Sequence, residues 1–284
     1  MNKLIFTISI ALLSIYVANA QQVWTQEKGK YFAQIGFDYH TGDGIFDGTR
    51  VVNLSRKFVD HTIQGYLEYG ISNKLTGTFI LPYHIGKTTK TNENADYLTD
   101  GSQNTLSNIQ LGLTYNFYKK NGYIYSVKAN TMLPTAKYDD KSGIRSGIDA
   151  FSFEPTILGG YSNSKFFTSY SLGLAARTNN YSSLTLVGFQ IGKSFGSEKR
   201  TILIFNIDGR ISTKDGKYDD KNSKLTGYFL NDLTFVAAGL KGGYNLNSNL
   251  TAWVSARAGF IAKNVIAADE NPLPGLTFSL SYKN

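Results

Sequence analysis

Residues 63–83, IQGYLEYGISNKLTGTFILPY, alternate with a period of two. Ile63, Gly65, Leu67, Tyr69 and Ile71 share one side and Gln64, Tyr66, Glu68 and Gly70 the other, as in a strand with one apolar and one polar face. Ser72, Asn73 and Lys74 reverse the chain. Beyond them Gly77, Phe79, Leu81 and Tyr83 resume the apolar side against Thr76, Thr78, Pro82 and His84. The spacing predicts a β-hairpin whose tyrosines, Tyr69 and Tyr83, stand where an apolar face meets water.

The same grammar returns at residues 116–127, 159–170, 192–205 and 242–254: alternation, an aromatic, a few Asn, Ser, Gly or Lys residues, alternation again. Short turns at one end and longer charged segments at the other are the signature of a transmembrane β-barrel. The expected fold class is all-β: a single-chain transmembrane antiparallel β-barrel of 12 strands, with short periplasmic turns and longer extracellular loops. An even strand number places both termini on the periplasmic side.

In chain order, the first strand is expected at about 31–40, followed by a flexible, glycine-containing connection from His40 to about Arg50. Residues 51–60 alternate weakly, and residues 86–106 read as a polar loop without a period. Parity blurs over 183–195, which suggests a bulge. Farther on, Leu233, Phe235 and Ala237 are placed on the apolar side opposite Asp232 and Thr234. Loops are expected at 137–149 and 213–224. Both contain a Lys-Tyr-Asp-Asp-Lys run, Lys137 to Lys141 and Lys217 to Lys221, read as solvated loop tips.

The beginning of the chain assigns its route. Lys3 precedes an apolar run from Leu4 to Ala18, and Ala18-Asn19-Ala20 supplies a small-residue cleavage site, so residues 1–20 are expected to be a cleaved signal peptide and 21–284 the barrel domain. No other stretch approaches the ~18 continuous apolar residues of a membrane helix. The chain holds no cysteine, which excludes a disulfide scaffold and a lipid-anchored N-terminus. Its formal charge of +8 is scattered through turns instead of forming a stripe, so nucleic acid is not an expected partner. The expected surroundings are outer-membrane lipid and lipopolysaccharide, envelope assembly machinery and a small solute, with oligomeric state left open.

The charged residues on the polar parity are the candidate lumen-lining set: Asp38, Glu68, Lys128, Glu154, Arg177, Asp208, Arg210, Asp232 and Arg257. They can pair across neighbouring strands and fill the interior, or they can line a wet passage and set its field. Mixed signs argue against a strongly ion-selective filter. A soluble β-sandwich or lipocalin-like barrel would also alternate. Aromatics near the strand ends and charge deep within strands favour the membrane barrel instead.

No catalytic, cofactor or metal residue is assigned. His40, His61 and His84 come with no nucleophile elbow or HExxH spacing. The lysines flanking each Asp-Asp pair would compete with a cation, and calcium-loop spacing is absent.

Residues 68–75 (EYGISNKL), the following Leu81-Pro82-Tyr83 and the later Leu133-Pro134-Thr135 resemble the outer-membrane transporter-like family named for the meta-pathway of phenol degradation. The resemblance extends over most of the chain from about Tyr31. It implies a barrel in a Gram-negative outer membrane that passes small hydrophobic or aromatic compounds. The functional expectation is thus a channel or transporter-like barrel for passive or facilitated passage of small solutes. A non-transporting structural envelope barrel is the alternative, and an outer-membrane hydrolase the lesser one.

Overall fold

The period-two segments form strands throughout the computed structural model, which describes residues 23–47, 50–92, 96–196, 198–219, 221–226, 231–263, 265–268 and 275–284. The expected leader lies outside these residues. In chain order the elements are β1 (Tyr31–Asp47), β2 (Arg50–Ser72), β3 (Leu75–Lys90), β4 (Gly101–Leu106), β5 (Gln110–Lys120), β6 (Tyr123–Met132), β7 (Tyr138–Asp139) and β8 (Ile144–Arg145). They continue with β9 (Ser152–Ser162), β10 (Phe167–Arg177), β11 (Leu184–Phe195), β12 (Thr201–Ser212), the short helix α1 (Lys221–Thr226), β13 (Thr234–Asn245), β14 (Leu250–Lys263), β15 (Val265–Ala268) and β16 (Gly275–Lys283).

Twelve of the strands close a ring in the order β1-β2-β3-β5-β6-β9-β10-β11-β12-β13-β14-β16, each pair antiparallel. The seam runs from Phe32↔Lys283 to Tyr39↔Leu276 between β1 and β16. Closure gives every wall strand two hydrogen-bonded neighbours, which a hydrocarbon environment requires. β4 and β15 extend the wall at the loop end, against β3 and β1, and β7 and β8 form a separate small hairpin.

The burial pattern is inverted relative to a soluble protein. Leu172 on β10 is 59% exposed whereas Glu68 on β2 is 2% exposed, so the apolar parity faces outward and the polar parity inward. A soluble sandwich, whose apolar side faces its core, does not have this arrangement. Aromatics ring the turn end: Tyr31 stacks on Tyr282 at 5.7 Å, and Tyr123 meets Tyr161 at 4.7 Å. An apolar outer band with an aromatic girdle is the exterior of an integral outer-membrane barrel. At that end the β5–β6 turn uses Asn121 and Gly122, both with positive φ (52° and 82°), the two-residue connection that matches strand twist.

Three expectations about the loop end change. The segment after His40 is no flexible loop, because β1 runs to Asp47 and β2 starts at Arg50. Residues 86–106 likewise contain the end of β3 and all of β4, paired from Tyr83↔Leu106 to Thr88↔Gly101. Above the membrane the outer face of a ladder meets water and its inner face packs on polar loop residues, so hydrogen-bonded pairing continues after apolar alternation has stopped. Finally, Lys137, Asp140 and Lys141 are exposed as expected, but residues 142–148 are buried. This stretch folds inward, with Ile144 fully enclosed.

Two parity readings also change. β11 carries no register shift against either neighbour. Its pattern blurs because Leu184 and Leu186 lie on the inward side while Thr185 lies outward. Register shifts occur instead at Gly42/Gly44, Gly70/Ser72, Asn116/Tyr118 and Val236/Ala237. On β13 the expected faces are exchanged: Phe235 and Ala237 are buried, opposite inward-facing Arg210 and Asp208 of β12.

Both ends of the interior are furnished. Residues 23–30 enter the turn-end mouth, where Gly29 N–H donates to the Gly70 carbonyl (2.8 Å) and Gly70 N–H to that of Lys30 (2.9 Å). The Gln26 amide donates to Glu68 at 2.6 Å, and Val23 is buried with Ile124 and Leu158. At the loop end Arg56, fully enclosed, pairs with Asp96 at 2.6 Å and donates to the Thr99 carbonyl at 2.5 Å.

Candidate lumen site

The inward wall has two characters. On β1, β2, β3, β5 and β6 it carries long polar side chains that pack against one another, among them Gln34, Gln64, Gln110 and Asn130, all buried. On β10, β11, β13 and β14 the facing positions are small: Ser171, Gly173, Gly188, Gly239 and Ser255. Register places Gly188 between Ser171 and Asp208, and Gly239 between Asn206 and Arg257. The small side leaves space where the large side fills it.

That space is a cavity of about 150 Å³ in the middle of the barrel, walled in part by Lys128, Glu154, Asp208, Arg210, Lys241 and Arg257. A vestibule of about 640 Å³ opens at the turn end beside Trp24, Gln26, Arg200 and Lys283. Ile204 and Lys241 line both, and residues 23–26 stand between the two spaces, Val23 on the cavity and Trp24 to Gln26 on the vestibule.

Of the nine sequence-derived candidates, Lys128, Glu154, Asp208, Arg210 and Arg257 come together around this cavity. Glu154 accepts from the Asn130 amide at 2.9 Å, and Asp208 from that of Asn206 at 2.5 Å. The other four lie elsewhere. Asp38 is buried and accepts from the Thr277 hydroxyl, while Glu68 accepts from Tyr66 Oη at 2.5 Å and from Gln26. Arg177, at the loop end of β10, donates from Nε to the Ser182 carbonyl at 2.5 Å. Asp232 precedes β13 with a φ of 38° and accepts from Ser182 Oγ at 2.7 Å, so it organises a loop junction. Sequence reasoning passed over Lys241. Its signal is the pairing with Ile204, which fixes its side only after β13 has been put in register with β12.

Buried His40 is the register partner of Asp60 across β1 and β2. His84 Nε2 lies 3.2 Å from Asp60 inside the wall, while His61 stacks on Tyr39 at 4.7 Å. Among the described residues no group of three or more His, Asp or Glu could hold a metal ion.

Outside the membrane-spanning segments the loops build their own polar clusters. Asp215 accepts from Thr213 Oγ1 (2.6 Å) and from Ser183 N–H (2.7 Å) and Oγ (2.8 Å); these bonds, Thr213 first, hold its carboxyl down at about 2. Tyr181 stacks on Tyr218 at 4.0 Å, and burial pushes its phenol up. Arg145 lies 3.9 Å over Tyr138. Together these contacts roof the loop end of the barrel.

Comparison with known proteins agrees with this architecture. The family model described as "Putative MetA-pathway of phenol degradation" matches residues 25–269. Among curated proteins, none matches the sequence. Among solved structures, an outer membrane channel from Pseudomonas putida F1 superposes with a TM-score of 0.66 at 10% identity, covering 92% of this chain and 97% of that one. The NanC porin (TM-score 0.51, 5% identity, 88% and 98% coverage) and the KdgM porin (0.50, 8%, 88% and 98%) are also similar. At these identities the likeness is one of fold.

Proposed function

This chain belongs to the family described as putative MetA-pathway of phenol degradation, and on that premise we propose that it is an outer-membrane barrel for passive or facilitated passage of small solutes. The observation that carries the reading is the pair of adjoining spaces, vestibule and mid-barrel cavity, walled jointly by Ile204 and Lys241. Ser171, Gly188 and Ser255 on the cavity wall support it by leaving room that a solute can occupy. In this reading residues 1–20 leave as the leader, both termini stay periplasmic, and assembly machinery inserts the chain among outer-membrane lipid and lipopolysaccharide. Small hydrophobic or aromatic compounds are the solutes that the family's description favours.

A second reading, a non-transporting structural barrel, draws on the roofed loop end, where Arg56, Leu98 and Ile144 are enclosed. Purified protein in planar bilayers separates the two. Passage gives stepwise conductance, and neutralising one wall charge, as in Arg257→Gln, changes its ion preference. A folded barrel that passes neither ions nor a panel of sugars, nucleosides and aromatic acids would support the structural reading.

A further inference from the structure

The sign and texture of the cavity wall narrow the solute class. Four of the charged side chains that line it are cationic, Lys128, Arg210, Lys241 and Arg257, against the two carboxylates Glu154 and Asp208. Lys241 doubles the excess, from one positive charge to two. Two further carboxylates, Asp38 and Glu68, do not line the cavity; each is 2% exposed and held by its own donors, Thr277 for one and Tyr66 with Gln26 for the other. Charge at the wall acts at contact distance on a solute, and charge one layer behind it acts at a greater distance and correspondingly less.

Apolar side chains stand among those cations on a wall that also carries Gln110, Asn130, Gln190 and Asn206. Leu158, Leu186, Ile204 and Phe235 all line the cavity, and Phe235 pairs directly with Arg210 across β12 and β13. An apolar surface with a few placed charges is how a pocket receives an amphipathic small molecule. The cations select its charged end, and the apolar wall selects its body.

Resting on the passage reading above, we propose that the lumen takes small organic anions carrying an apolar ring or chain, and that it prefers anions to cations. Arg210 and Lys241 receive the charge, and the Phe235 and Ile204 side of the wall receives the apolar body.

The test uses the mature full-length barrel in planar bilayers under a potassium chloride gradient. Two one-ring probes of permanent charge are added, benzenesulfonate and benzyltrimethylammonium. The expected reversal potential has the sign for chloride over potassium, and benzenesulfonate interrupts the chloride current whereas benzyltrimethylammonium does not. Lys241→Gln and Arg210→Gln each lower the anion-to-cation ratio, by up to about 25-fold, since one unit charge at ~4 Å in water is worth about fivefold on the anion and again on the cation, and Asp208→Asn raises it. Heat-modifiability on a gel screens each variant for folding, with Arg257→Gln replacing any that fails. A conducting barrel that prefers potassium, is interrupted by the cationic probe, or shows an unchanged anion-to-cation ratio in both Lys241→Gln and Arg210→Gln overturns this inference and leaves passage standing. A folded barrel that conducts nothing overturns both.

Discussion

A β-carbon added at Gly70 would lie 1.9 Å from the carbonyl oxygen of Glu27 and 2.6 Å from its carbon. Both contacts are backbone, so no side chain can swing aside. Gly70→Ala is therefore expected to expel residues 23–30 from the turn-end mouth while the wall strands remain paired. Faster proteolysis of that segment in the folded protein checks it, and unchanged protection would show that the segment is anchored by Gln26 and Val23 alone. Asp215 supports a second prediction. Because its folded pKa is depressed to about 2, below an unfolded value of about 3.9, the loop contacts it organises are fully favoured above pH ~4. They are lost as pH falls through about 2. Asp215→Asn should abolish that acid transition in hydrogen exchange at residues 213–217, and an unaltered transition would assign it to another group. At this scale the sequence disclosed most inward residues through parity. Lys241 escaped it because it belongs to a strand whose side only its neighbours reveal, and Asp232, placed by parity on a strand, stands outside any.

Among elements, the twelve wall strands were legible because outward alternation of Leu, Phe, Ile and Tyr is imposed by hydrocarbon along each of them. Where hydrocarbon ends, so does the signal. The loop-end extensions of β1, β2 and β3 were therefore hidden in sequences such as Lys87-Thr88-Thr89-Lys90, whose ladder is satisfied though neither face needs apolar residues. The same limit concealed the inward fold of residues 142–148, which is set by partners distant in sequence: Asn108 donates to the Ile148 carbonyl at 2.7 Å, and Thr226 approaches Gly143. Turn lengths, by contrast, survive intact and fix an orientation. A cysteine at exposed Lys141 should react with an impermeant reagent on intact cells, and one at Asn73 only after the envelope is opened. The chain's lack of native cysteine keeps the assay free of background, and the opposite labelling would invert the topology.

For the whole molecule, closure predicts that the mature protein fractionates with the outer membrane and migrates differently on a gel before and after boiling; recovery as soluble periplasmic protein would contradict the apolar exterior. The seam that completes the ring joins Phe32 to Lys283, nearly the full length of the chain apart. Contacts so remote in sequence make for slow folding, since the entropy of closing the loop must be met before they form. Synthesis delivers β16 last, so β1 and β14 each present an unpaired edge until the final residues emerge. An incomplete chain is thus a template for aggregation and not a smaller barrel. The closing strand makes folding nearly all-or-none, and the partly exported polypeptide depends on being held unfolded until its C-terminus arrives.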